Sequence, residues 1–243
     1  MADTLKLNAP QVKMVAHRGL SGIELENTCA AFVAAGNRDY YGIETDVHRT
    51  ADGAYVVIHD DRTGRVAFED IPVEGSTFAQ LQAVALKDKD GEPRTDLKIP
   101  TLKEYLKICK KYNKVPVLEL KNPFPKEDVA NILEIVKGIM SLEEIVFISF
   151  AYQNMVYLRE LAPDARLQFL TGKEPVGPEL IQKLKDYRLD LDISWKVLDE
   201  AGVKLLHEAG IEVNVWTVDD PEMAKQLIAW GVDYITSNIL QYG

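Results

Sequence analysis

From near its start to near its end, the chain alternates short runs of apolar and β-branched residues with segments whose apolar positions recur every three or four residues. Strands alternating with amphipathic helices predict a parallel sheet with crossover helices. The strand-like runs are Val12 to Ala16, Gly42 to Val47, Val115 to Leu120, Ile145 to Ser149, Arg166 to Leu170, Leu189 to Ser194, Ile211 to Trp216 and Val232 to Thr236. Eight such runs are what an α/β barrel needs. Helix starts are legible at Thr101, ahead of Leu102, Tyr105, Leu106 and Cys109, and at Asp220-Pro221, ahead of Met223, Leu227 and Ile228. The expected fold is α/β, a (β/α)8 TIM barrel spanning residues 1–243 as one domain. An open doubly wound sheet is the alternative, but the first strand-to-helix turn carries no Gly-rich dinucleotide fingerprint.

Two features break the rhythm. A ninth run, Ala54 to His59, follows the second strand after only Thr50-Ala51-Asp52-Gly53, too short for a parallel crossover, so it must return as an antiparallel hairpin. Residues 61–99 are then long and poor in apolar density, with alternating charges from Lys87 to Glu92 that read as a solvated loop. We expect a small insertion here, emerging on the C-terminal rim where barrel active sites lie.

The strand ends gather polar residues: His17-Arg18-Gly19 after the first, Glu44-Thr45-Asp46 in the second, His59-Asp60 after the hairpin, and Glu119-Leu120-Lys121 in the third. Side chains alternate along a strand, so Glu44 with Asp46, and Glu119 with Lys121, can face one cavity. Burying three carboxylates is costly without a compensating cation, and together they form a hard, all-oxygen ligand set suited to one Mg2+ or Ca2+ ion. Antiparallel pairing brings His59 near Thr45 and Asp46, with His17 on the adjacent strand. Two imidazoles then flank the site, one able to act as base and one as acid.

The formal charge of −10 on 243 residues makes nucleic acid an unexpected partner and leaves room for a metal to supply positive charge at an anion site. Apolar residues at 47% and charged residues at 27% are the balance of a soluble globular chain. Cys29 and Cys109 have no metal or disulfide spacing and are expected to be buried thiols. Met1 to Lys13 has no signal-like apolar stretch and no run is long enough to span a bilayer, so a cytoplasmic protein without stable membrane insertion is expected.

Several residues admit a structural reading. His48, expected on the face opposite Glu44 and Asp46, and His207, on a helix, are assigned structural or surface roles. Asn27-Thr28 can cap the first helix, or Glu26 and Asn27 can join the site. Trp216 and Phe150 either fill the barrel mouth or line a substrate pocket.

In order along the chain, His17-Arg18-Gly19, Glu26-Asn27-Thr28, Gly42-Ile43-Glu44-Thr45-Asp46-Val47, Thr50-Ala51-Asp52-Gly53, Val57-Ile58-His59-Asp60, Ile99-Pro100-Thr101-Leu102, Leu118-Glu119-Leu120-Lys121, Ser149-Phe150 and Val213 to Val218 resemble the glycerophosphodiester phosphodiesterase family. The resemblance implies a barrel of the phospholipase C-like phosphodiesterase type. It also implies a divalent metal on Glu44, Asp46 and Glu119, acid/base roles for His17 and His59, and phosphate-binding cations at Arg18 and Lys121. The implied reaction releases glycerol 3-phosphate and an alcohol from a small glycerophosphodiester. Leu25 stands where the family usually has Pro, and Ser237 where it often has Asp. A lysophospholipase D-like activity on lipid, and a non-catalytic phosphodiester-binding barrel, are the alternatives.

Overall fold

The computed structural model describes residues 3–243. Eight parallel strands pair in chain order: Lys13–Ala16, Gly42–Arg49, Val115–Leu120, Val146–Ser149, Arg166–Thr171, Asp190–Ser194, Val213–Trp216 and Tyr234–Ser237. The eighth pairs with the first through Ser237 and Ala16, and the first with the second through Ala16 and Ile43, so the sheet closes into a barrel. Helices fill the connections between successive strands, as in a (β/α)8 TIM barrel. After the last barrel strand, Leu240–Tyr242 pairs parallel with Leu5–Leu7.

Three strands begin where their apolar runs do, at Gly42, Val115 and Arg166, and the other five begin one or two residues later. Val12, Ile145, Leu189, Ile211 and Val232 are all buried yet precede the ladders. Hydrophobicity marks what is inside, and these residues join the main apolar core without pairing in a ladder.

Helix Leu102–Lys111 shows how local sequence sets the architecture. Thr101 accepts from the Glu104 amide while the Glu104 carboxylate accepts from the Thr101 amide, a reciprocal capping box. Its apolar stripe of Leu102, Tyr105, Leu106 and Cys109 is buried. Tyr105 packs edge-on against Phe32 with ring centroids 5.0 Å apart and donates its hydroxyl hydrogen to the Ile43 carbonyl at 2.6 Å. That bond, a net contribution of about 1 kcal/mol for a neutral pair, fixes the helix to the strand that carries Glu44 and Asp46. Helix Pro221–Trp230 starts as expected, with Asp220 capping and Pro221 in the first turn.

The hairpin is present: Tyr55–Val57 pairs antiparallel with the end of the second strand, Val47 opposite Val57 and Arg49 opposite Tyr55. Residues 61–99 contain a short helix, Phe78–Ala83, and a two-residue ladder, Leu86–Lys87 with Pro93–Arg94. The segment is less solvated than its composition suggests. Val66, Ala67, Val73, Leu81, Val84, Leu86, Leu97 and Ile99 form an apolar cluster closed by Leu25, Val56 and Ile58. Leu25 therefore packs this segment onto the rim. No helix among the described residues is long and apolar enough to cross a membrane.

Candidate active site

Parallel register sets Asp46 beside Glu119, and Glu44 lies two residues earlier on the same face. All three are buried, and one carboxylate oxygen from each lies within 4.8 Å of the others. So many anions so close cannot all stay charged unaided. Burial and then the Asp46 charge push Glu44 well above the usual carboxylate range, and push Glu119 up to about 8. Burial also acts to raise Asp46, but Lys121 and Arg18 outweigh it and hold that group well below its usual range. Lys121 Nζ lies 3.2 Å from both Asp46 Oδ1 and Glu119 Oε1. The Glu119 contact lacks hydrogen-bond geometry, so buried Oε1 has no hydrogen-bond partner. Hard oxygen ligands, excess negative charge and an open lone pair fit a divalent cation.

Arg18 is held by an unusual backbone. Its φ is +54° and that of Gly19 is +75°, and a Cβ on Gly19 would lie 2.7 Å from the Ala31 backbone. The turn aims the Arg18 amide at Glu44 Oε2, at 2.8 Å, and the guanidinium at Glu26, at 2.8 Å. Asn27, also left-handed at φ +54°, donates to Asp46 Oδ2 at 2.8 Å and accepts from Thr45 Oγ1 at 2.6 Å. Thr28 alone caps the helix, so Asn27 belongs to the site and Thr28 to the helix.

Both histidines carry an outer partner on Nδ1. His17 Nδ1 is 2.8 Å from Asn238 Oδ1, and Asn238 Nδ2 in turn donates to Asp219 Oδ2 at 2.6 Å. The amide thus faces His17 with its oxygen, so Nδ1 carries the proton and Nε2 is left free. Ser237, where an Asp was expected from the resemblance, donates to Asp219 Oδ1 at 2.9 Å, so the carboxylate comes from the seventh strand's loop instead. His59 Nδ1 lies 2.5 Å from Asp60 Oδ1. Asp60 accepts from Arg65 at 2.6 Å, and Arg65 bridges to Glu26 at 2.6 Å, which returns to Arg18. Burial pushes His17 down to about 4, and burial also lowers His59.

A cavity of about 140 Å3 joins these groups, lined by His17, Arg18, Glu44, His59, Glu119 and Lys121. Ile148, Phe150, Leu170, Asp192, Trp216 and Thr236 complete the lining. Phe150 and Trp216 meet edge-on, centroids 5.6 Å apart. A wider open cleft of about 550 Å3 between Lys137 and Ala165 lies at the opposite end of the barrel and contains none of these groups.

Two expectations need correction. His48 shares the even spacing of Glu44 and Asp46, so it does not face the opposite way; it is enclosed 3.3 Å from the His59 carbonyl and 3.2 Å from Glu74, outside the cavity lining. Cys109 is buried as expected, whereas Cys29 is only half-buried. His207 is a surface residue paired with Asp233 at 2.9 Å.

Closed barrel, strand-end acids and paired imidazoles together define a TIM-barrel phosphoric diester hydrolase. Residues 17–240 match the glycerophosphoryl diester phosphodiesterase family, and the chain belongs to it. A glycerophosphodiester phosphodiesterase of Caldanaerobacter subterraneus subsp. tengcongensis is 28% identical, with 93% of each chain covered. Among solved structures, a phosphodiesterase of Oleispira antarctica in complex with the product sn-glycerol-3-phosphate is similar at a TM-score of 0.86 and 26% identity, covering 94% of each chain. A glycerophosphodiester phosphodiesterase of Parabacteroides distasonis aligns at 0.76 and 29% identity, covering 98% of this chain and 94% of that one.

Proposed function

We propose that the protein hydrolyses small glycerophosphodiesters to glycerol 3-phosphate and an alcohol, with a divalent metal on Glu44, Asp46 and Glu119 and with His17 and His59 as the proton-transfer pair. The observation that carries this is the convergence of both imidazoles and all three buried acids on one cavity. A bound Mg2+ or Ca2+ would supply Lewis-acid charge to the phosphoryl oxygens. The same reading treats the chain as one barrel with 61–99 as an insertion, acting in the cytoplasm on a dissolved substrate.

Arg18 and Lys121 neutralise the phosphodiester. The glycerol 2-hydroxyl is already held next to phosphorus, so intramolecular attack is entropically favoured. His17, neutral and with Nε2 free, takes the hydroxyl proton as the oxygen bonds to phosphorus. His59, whose proton Asp60 favours more than neutral Asn238 favours one on His17, donates to the departing alkoxide as its P–O bond breaks. Water then opens the cyclic phosphate with the two roles reversed.

His17→Ala and His59→Ala are expected to keep the fold and lose on the order of a hundredfold or more in turnover. Wild-type rates in either variant would remove it from the mechanism. Replacing the glycerol 2-hydroxyl by hydrogen is expected to abolish turnover while leaving binding measurable; equal turnover of the deoxy analogue would mean direct attack by water.

A further inference from the structure

The cavity lining holds a group that the reaction does not use. Asp192, on the sixth strand, is 2% exposed, and its Oδ1 has no hydrogen-bond partner. Buried polar atoms without partners are rare, and each asks for an explanation. The neighbouring polar groups do not provide a partner, because they satisfy one another. Thr236 donates to Asn214 Oδ1 at 3.1 Å, and Asn214 donates to Gln168 at 3.0 Å. On the adjacent seventh strand, Trp216 Nε1 is likewise buried and unpartnered. Asp192 and Trp216, each holding such an orphan atom, thus both line one small cavity, together with Ile148, Leu170 and Phe150.

We infer that Asp192 is a specificity-determining residue that binds a hydroxyl of the glycerol unit, with the Trp216 N–H supporting the same polyol. This rests on the glycerophosphodiester reading of the cavity above. A polyol offers hydroxyls that both donate and accept on a short apolar backbone, which matches a carboxyl and an N–H set in an apolar wall. Burial, the sole cause acting on it, pushes the Asp192 carboxyl well above the usual range, so it too can donate as well as accept. The alternative occupant, a cationic head group, would have to charge this carboxyl with no other hydrogen bond to hold the charge. At about 140 Å3 the cavity has room for a three-carbon polyol.

The test compares binding of sn-glycerol 3-phosphate with that of n-propyl phosphate, which keeps the carbons and loses both hydroxyls, to the metal-loaded protein and to Asp192→Leu and Asp192→Asn. The wild type is expected to prefer glycerol 3-phosphate about tenfold or more, one well-made buried hydrogen bond being of that order. Asp192→Leu should erase the preference and Asp192→Asn retain part of it. Both variants should melt no lower than wild type, because the carboxyl has no partner to lose. A wild type without the preference, a preference intact in Asp192→Leu, or a lower melting temperature in both variants would overturn the inference. So would a wild-type preference for 2-aminoethyl phosphate that Asp192→Leu removes, which would assign the residue to an amine. Turnover of glycerophosphocholine by the wild type is read separately: its absence removes the proposed activity, while a hydroxyl preference carried by Asp192 would stand.

Discussion

Each site residue is positioned by a neighbour that limits what it can do. Of the three acids Asp46 has the most such partners, with Asn27 on one oxygen and Lys121 on the other. It is therefore the one acid of the three that stays charged without a metal, and Glu44 and Glu119 are the ones a cation must discharge of protons. We expect Glu44→Gln, Asp46→Asn and Glu119→Gln each to weaken Mg2+ or Ca2+ binding about tenfold or more in calorimetry, since each removes an anionic ligand. Unchanged binding in all three would remove the metal from this set. The acids and histidines were legible in the sequence, because period-two spacing puts Glu44 and Asp46 on one face whatever the details of the fold. Asn238 and Asp219 were not singled out, although a signal existed. They follow the eighth and seventh strands, which are neighbours in a barrel, so polar residues just beyond both must meet.

At the level of elements, alternation of apolar runs was enough to predict the barrel and the hairpin, because both follow from which residues must be inside. Strand starts were read early for the same reason, since Val12 or Ile211 is buried without joining a ladder. The segment 61–99 resisted sequence reading because its stability comes from contacts distant in the chain: an apolar cluster shared with Leu25, Val56 and Ile58. Its contact with the candidate site is Arg65, which joins Asp60 behind His59 to Glu26 behind Arg18. The Arg65 side chain is 46% exposed, so its stabilising effect is modest. Its effect on activity should be larger. Arg65→Ala is expected to lower kcat several-fold with the melting temperature nearly unchanged, because His59 and Arg18 both lose an outer support. Wild-type kcat in that variant would separate the segment from the chemistry.

The end of the barrel away from the candidate site also buries a titratable group. At the base, Asp190 is pushed up to about 6 from its ordinary 3.8, by burial first and then, against the Glu212 amide that bonds it, by the Glu212 and Asp233 charges. A raised folded value means that its favourable contribution is complete below about pH 4 and is lost as pH rises through about 6. Asp190→Asn keeps the acceptor for the Glu212 amide, 2.9 Å away. It should raise stability at pH 7.5 by on the order of 1–3 kcal/mol and flatten the dependence between pH 4 and 6, as read by denaturant melts; an equally steep profile in the variant would contradict this. Activity should be indifferent to that change. The site itself is tested most directly by incubating the purified protein with glycerophosphocholine before chelation, after it, and after Mg2+ or Ca2+ is restored, and measuring glycerol 3-phosphate. We expect product before chelation, its loss on chelation and its return with metal. Equal product release in the presence of chelator would contradict a metal held by Glu44, Asp46 and Glu119, and no product under any condition would contradict the activity itself.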